Sequence, residues 1–272
     1  MHIEPISYGG WQNNIALRND HAEVIVTLDV GPRVISYRAV EGQNVFKTYE
    51  DQLGGQGEAE WKIRGGHRLW IAPEGEISRV PDNHPVKYER LSNGVRLENP
   101  PAEPWGIRKT LTVQLAPDSP EVTVEHRLTN ESETPVEVAA WALSVMAPGG
   151  LEIIPAPPLG EHPRDLLPNR IIVPWPYTDL SDPRYRFGQQ FITVMQTFTG
   201  TKTKLGLSHR EKWVAYLNGE SLFVKRFDYE EGARYPDLGC NFETYTDSEM
   251  IEIESLSPLK RLHKGESVSH TE

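Results

Sequence analysis

The densest mixture of reactive side chains in this sequence is Gly65-Gly66-His67-Arg68-Leu69-Trp70-Ile71-Ala72-Pro73-Glu74. His67 titrates close to neutrality, as a general acid or base must. Arg68 presents a fork of N–H donors to anionic or hydroxyl oxygens. Trp70 offers a flat apolar face on which a sugar ring can lie, and Glu74 adds a carboxylate. The double glycine permits close backbone approach. The same residues also suit a hairpin loop whose Leu69 and Trp70 plug the core.

A second concentration lies between Asp228 and Glu254, where nine acids face a single base, Arg234. Glu252 and Glu254 alternate with Ile251 and Ile253, so both carboxylates leave one face of a strand, roughly 7 Å apart at Cα. Like charges that close raise one pKa, which makes a carboxyl group useful near neutrality. Glu243 sits on another expected strand, 241–245. With Tyr235, Asn241 and Tyr245 beside them, these glutamates are expected to line a cleft and to be partly buried. A solvated acidic face is the alternative.

Other candidates carry less. His126 shares the inward face of its strand with Val122, Val124 and Leu128 and reads as a hydrogen-bonded core histidine. His2, His21, His162, His209, His263 and His270 have no patterned context and read as surface, and Cys240 as a buried thiol. No HxH or HExxH spacing, GxSxG, P-loop or GxGxxG motif occurs. No cofactor is expected, although a divalent cation held by acidic residues and His67 stays open.

The elements that must position these residues are short strands. Residues 107–115 alternate apolar and polar side chains, Lys109 excepted, and 121–128 repeat the pattern. Similar signals fall at 22–29, 33–40, 191–198, 213–217, 221–227 and 250–254. Asn93-Gly94 and Asn218-Gly219 are hairpin turns, and Pro117-Asp118-Ser119-Pro120 is another turn. The proline-dense segment 155–188 predicts long ordered loops. Residues 50–60 hold at most one helical turn. The fold class is all-β, with one antiparallel sandwich expected over 1–272. Twenty-eight basic against 39 acidic residues leave a net charge of −11, which argues against nucleic acid as a partner. A single cysteine excludes a disulfide framework. With neither an apolar run long enough to span a bilayer nor a signal-peptide pattern, a soluble cytoplasmic protein is expected.

Several segments resemble the galactose-mutarotase-like superfamily. Val-Thr-Leu-Asp-Val-Gly-Pro-Arg-Val-Ile-Ser-Tyr (26–37) is similar to its opening strand and Gly-Arg turn. Leu128-Thr129-Asn130 followed by Thr134-Pro135-Val136 resembles a mid-chain strand pair. Leu262-His263-Lys264-Gly265-Glu266 resembles the turn before the last strand, with Lys264 in place of a proline. Residues 65–74 together with Tyr235-Pro236-Asp237-Leu238-Gly239-Cys240-Asn241 are similar to an uncharacterised branch of the superfamily. The resemblance implies a large β-sandwich with sugar-binding side chains on a concave face. It also implies a histidine acid and a glutamate base. By position that histidine falls near Leu143 or Ser144, where this chain has none.

The resulting expectation is an epimerase or mutarotase acting on a small-molecule carbohydrate. His67 would be the acid and Glu243 or Glu254 the base. Arg33 and Arg68 would bind oxygens, Trp70 or Trp141 would stack on the ring, and Glu74, Tyr235 and Asn241 would complete the site. A lyase or glycoside hydrolase on the same scaffold is the nearest variant, and a non-catalytic carbohydrate-binding module the main alternative. The two classes separate on whether a histidine and a carboxylate reach one substrate atom.

Overall fold

Period-two patterning dominates the chain, and the computed structural model, which describes residues 1–272, is built almost wholly from strands. There are 21 of them, interrupted only by two short 3-10 turns, Glu50–Gln52 and Glu76–Arg79. No helix is long and apolar enough to cross a membrane.

An 11-stranded antiparallel sheet forms the backbone of the molecule. It begins as a meander from His2–Tyr8 to Arg33–Ala39 and continues through Gly66–Ala72, Val136–Met146, Ile251–Leu256, Phe242–Thr246 and Thr203–Leu207. Two five-stranded sheets complete the fold, one centred on Leu151–Pro155 and the other running from Ser267–Thr271 to Lys87–Arg90. All three contribute to one core of 36 buried residues, among them Leu69 and Ile253, Val95 and Leu111, and Ile154 and Val214. The large sheet therefore has an inner face against the small sheets and an outer face away from them. This is the all-β sandwich that the alternation implies.

The turn signals and the strands agree. Asn218 and Ser221 close the hairpin of Trp213–Asn218 with Ser221–Arg226. Leu115 pairs with Val122 across the Pro117–Pro120 turn. Beyond Pro155, which ends Leu151–Pro155, the proline-dense stretch forms only the strands Ile172–Pro174 and Tyr185–Phe187, each at a sheet edge, where a missing N–H is tolerated. Gly66–Ala72 is a central strand of the large sheet, not a hairpin loop. Its glycine entry is compulsory. A Cβ on Gly66, at φ +77°, would lie 2.2 Å from the Val34 carbonyl oxygen, and one on Gly65 would lie 1.9 Å from that of Lys47.

Candidate active site on the outer sheet face

Strand parity decides which side chains meet. In Gly66–Ala72, Arg68 and Trp70 point outward, while His67, Leu69 and Ile71 point inward. Pairing places Arg68 beside Leu143, Leu143 beside Glu254, and Glu254 beside Glu243. The neighbouring row runs from Val145 through Glu252 and Tyr245 to Lys204. Thus five adjacent strands bring Arg68, three glutamates and Lys204 to one face. Glu243 and Glu254 are fully buried, and Glu252 and Lys204 nearly so.

Lys204 organises the group. Its Nζ lies 2.8 Å from Glu254 Oε2 and 2.7 Å from Glu243 Oε2. The ammonium also sits 4.6 Å from the Trp141 ring and 4.9 Å from that of Trp175. Gly206 makes room for Trp175, since a Cβ there would come within 3.0 Å of the indole. Trp141 Nε1 donates to Glu254 Oε2 at 2.8 Å. Arg68 Nη2 donates to Glu252 Oε1 at 2.8 Å, and its guanidinium lies against both the Trp61 and the Trp70 rings, 5.3 and 4.8 Å from their centroids.

Burial disfavours charge on Glu243 most, and Glu254 beside it adds to the effect, so its pKa stands well above the usual carboxylate range despite Lys204. Burial likewise raises Glu252 against the pull of Arg68. Burial opposes the charge of Lys204, but Glu254 and Glu243 outweigh it and keep the ammonium protonated. One ammonium faces two carboxyl groups, and burial favours the protonated form of Glu243. Two carboxyl groups in contact, one of them pushed toward its neutral form, are the raw material of an acid–base pair.

The other expected site residues lie elsewhere. His67 is on the inner face, where its ring nitrogens contact Ser144 and His126, so the expected pairing of His67 with Glu243 or Glu254 is not formed. Alternation forbids adjacent residues of one strand from sharing a face. Arg33 pairs with Arg68 in register but spends its guanidinium on the Ile63 and Gly65 carbonyls, at 2.8 and 2.6 Å, and on Asp82. It braces the glycine entry and does not face a ligand. Glu74 lies beyond the strand end and pairs with Arg79 at the surface. The Tyr235 hydroxyl accepts from the Glu230 N–H, and the Asn241 amide clamps the His209 backbone. Both are structural. His209 and His270, expected at the surface, are buried. Lys204 escaped sequence reasoning, although its place in Thr203-Lys204-Leu205-Gly206-Leu207 alternates with two core leucines.

No family model matches the chain, and no curated protein matches it in sequence. Solved structures do match by fold. Slr1438 protein from Synechocystis sp. PCC 6803 superimposes with a TM-score of 0.63 at 12% identity, over 98% of this chain and 97% of that one. A galactose mutarotase-like protein from Lactobacillus casei gives 0.60 at 11% identity, covering 95% and 98%. A galactose mutarotase related enzyme from Lactobacillus acidophilus gives 0.56 at 10%, covering 95% of each chain. The chain has the galactose mutarotase-like fold.

Proposed function

We propose that this protein binds a sugar or sugar derivative on the outer face of the large sheet and interconverts its anomers or epimers by acid–base catalysis. The observation that carries this reading is a set of buried polar atoms without protein partners. They are Glu243 Oε1, Glu254 Oε1, Arg68 Nε and Nη1, and the indole nitrogens of Trp61 and Trp70. Each unmatched buried group costs about 1–3 kcal/mol, and a ligand rich in hydroxyl groups supplies both donors and acceptors. The Trp61, Trp70 and Trp141 rings follow one another edge to face at 5.1 and 5.4 Å and set aromatic groups, which suit sugar C–H bonds, beside these polar atoms. The mutarotase-like names of two fold neighbours support the same substrate class.

In this reading Glu254 takes the proton of the anomeric hydroxyl while protonated Glu243 gives one to the ring oxygen. The C1–O5 bond opens to a carbonyl, which turns and recloses on its other face as both protons return. One proton is accepted and one donated, so the protein ends unchanged. Lys204 holds the two carboxyl groups together, and Arg68 binds a neighbouring oxygen. The resemblance implies a histidine near Leu143 or Ser144, and Leu143, the one of the two that lies beside Glu254, cannot supply a proton, so the second carboxyl group carries the acid role. The same Leu143, and the hold of Lys204 on both carboxylates, favour a second reading in which the site binds sugar without turning it over.

Exchange between anomers, followed by magnetisation-transfer NMR on a panel of monosaccharides and uronic acids, separates these readings. Turnover should fall about 10²–10⁴-fold in Glu254→Gln and in Glu243→Gln, the usual worth of a positioned acid or base. Calorimetric binding without accelerated exchange in the wild type would favour the binding module. A wild type that binds no member of the panel would sink both readings.

A further inference from the structure

The inner face of the same strands holds a separate cluster that the sugar site does not use. His67 and His126 point their Nε2 atoms at each other, 2.6 Å apart, and Glu272 Oε2 lies 3.8 Å from His67 Nε2. The ligand atoms of all three residues fall within 4.8 Å of one another. We propose that His67, His126 and Glu272 form a binding site for a zinc-class divalent cation, with one coordination position open to a neighbouring pocket.

The hydrogen bonds around the two imidazoles support this. His126 Nδ1 meets the His270 carbonyl oxygen at 3.0 Å. A carbonyl only accepts, so Nδ1 carries the proton and Nε2 presents a lone pair. His67 Nδ1 meets Ser144 Oγ at 2.9 Å, and this hydroxyl can accept the Nδ1 proton in the same way. With His67 Nδ1 donating to Ser144, both Nε2 lone pairs converge on one point, an arrangement that a cation stabilises. Metal-bound histidines typically have their second nitrogen fixed by such an outer partner. Glu272 is steadied too. Lys225 Nζ contacts its Oε1 at 2.8 Å, leaving Oε2 toward the histidines.

Ligand chemistry selects the ion. Two imidazoles and a carboxylate suit zinc, cobalt, nickel or ferrous iron, whereas magnesium and calcium favour all-oxygen shells. Zinc–nitrogen bonds of about 2.05 Å at a tetrahedral angle put the two nitrogens roughly 3.3 Å apart, so the rings need separate by only about 0.7 Å. The fourth position is reachable. His67, Ser144, Lys225 and Glu272 all line a pocket of about 360 Å³ whose walls include Phe46 and Phe223. Lys225 and Glu272 balance each other, so a bound dication leaves positive charge that favours water as hydroxide, or another anionic ligand, at that position.

The tag-free chain, stripped with chelator and titrated with zinc or cobalt chloride, tests this. One equivalent should bind, raise the melting temperature by mass action, and with cobalt give the visible absorption of a low-coordinate site. His126→Gln and Glu272→Gln should lose the stoichiometric binding, while the exposed-residue double variant His21→Ala/His84→Ala should keep it. Because a buried variant can fail to fold, histidine ¹⁵N NMR of the wild type decides independently: zinc should shift two Nε2 resonances and leave their Nδ1 protons in place. Absence of saturable one-to-one binding overturns the proposal, as does unchanged affinity in a folded His126→Gln or an unmoved pair of Nε2 signals.

Discussion

The two faces of strands Gly66–Ala72, Val136–Met146 and Ile251–Leu256 bury ionisable groups in opposite ways. On the outer face, Glu243, Glu252 and Glu254 share two cations, Arg68 and Lys204, and several polar atoms have no partner. On the inner face, Glu272 and Lys225 form one pair, and Lys225 also donates to the Ala142 and Ile253 carbonyls at 3.0 and 2.9 Å. Burial there pushes His67 and His126 toward their neutral form, His126 down to about 4. The outer face thus gathers three carboxyl groups around two cations, whereas the inner cluster matches Glu272 with Lys225 beside two imidazoles. The excess of carboxyl groups and the unpartnered atoms of Arg68, Glu243 and Glu254 are what the proposed sugar site rests on.

Removing the cation from the outer face should have the largest effect. Lys204→Met leaves Glu243 and Glu254 facing each other without a counter-charge, fully buried. Breaking a buried ion pair by deleting one partner costs about 3–5 kcal/mol. Urea denaturation at neutral pH reads it directly. A loss under about 1 kcal/mol would mean that Lys204 is a solvated bystander, and the contrast between the faces would collapse.

A smaller effect sharpens the inner side. Glu152, hydrogen-bonded to Thr244 at 2.6 Å, is pushed up to about 8 by burial. Its folded pKa is above its unfolded value, so its contribution is greatest below about pH 4.5 and is lost as pH rises toward 8. Between pH 6 and 7.5 this amounts to about 2 kcal/mol, at about 1.4 per unit. Glu152→Gln should flatten the fall in unfolding free energy over that interval. An unchanged slope would show that Glu152 is already ionised.

Much of this was legible in the residues. Parity put Glu252 and Glu254 on one face, and the alternation at 107–115 and 213–217 and the turn at Asn218-Gly219 located strands closely. The same rule, applied to His67-Arg68, would have separated them at once; their adjacency in a motif hid their opposition in space. Lys204, Lys225 and Glu272 were not legible, because a lone charge in a short strand, or just past the end of one, shows its partner only once pairing is known. His270 likewise looked exposed until Ser267–Thr271 was seen to pair with Val122–Asn130. Tyr235 and Asn241 were attractive by composition, yet the turns they sit in use their polar atoms for backbone bonds.

The smallest expected effect is the most discriminating. If Glu243 holds the proton of its pair, replacing it with the near-isosteric glutamine removes no charge at pH 7, and the amide oxygen can still accept from Lys204. Glu243→Gln should therefore change the unfolding free energy by less than about 1.5 kcal/mol there, the range of volume-conserving exchanges. The pH dependence carries the sign. Burial raises the folded pKa of Glu243 far above its unfolded value, so the wild type loses stability as rising pH drives that group to ionise. The glutamine variant has nothing to ionise and should gain on the wild type as pH increases. Denaturation curves for both proteins at pH 5 and pH 9 measure this gain. A variant that instead falls behind the wild type at the higher pH would place the charge on Glu243 and the proton on Glu254, reversing the acid and base assigned to the pair.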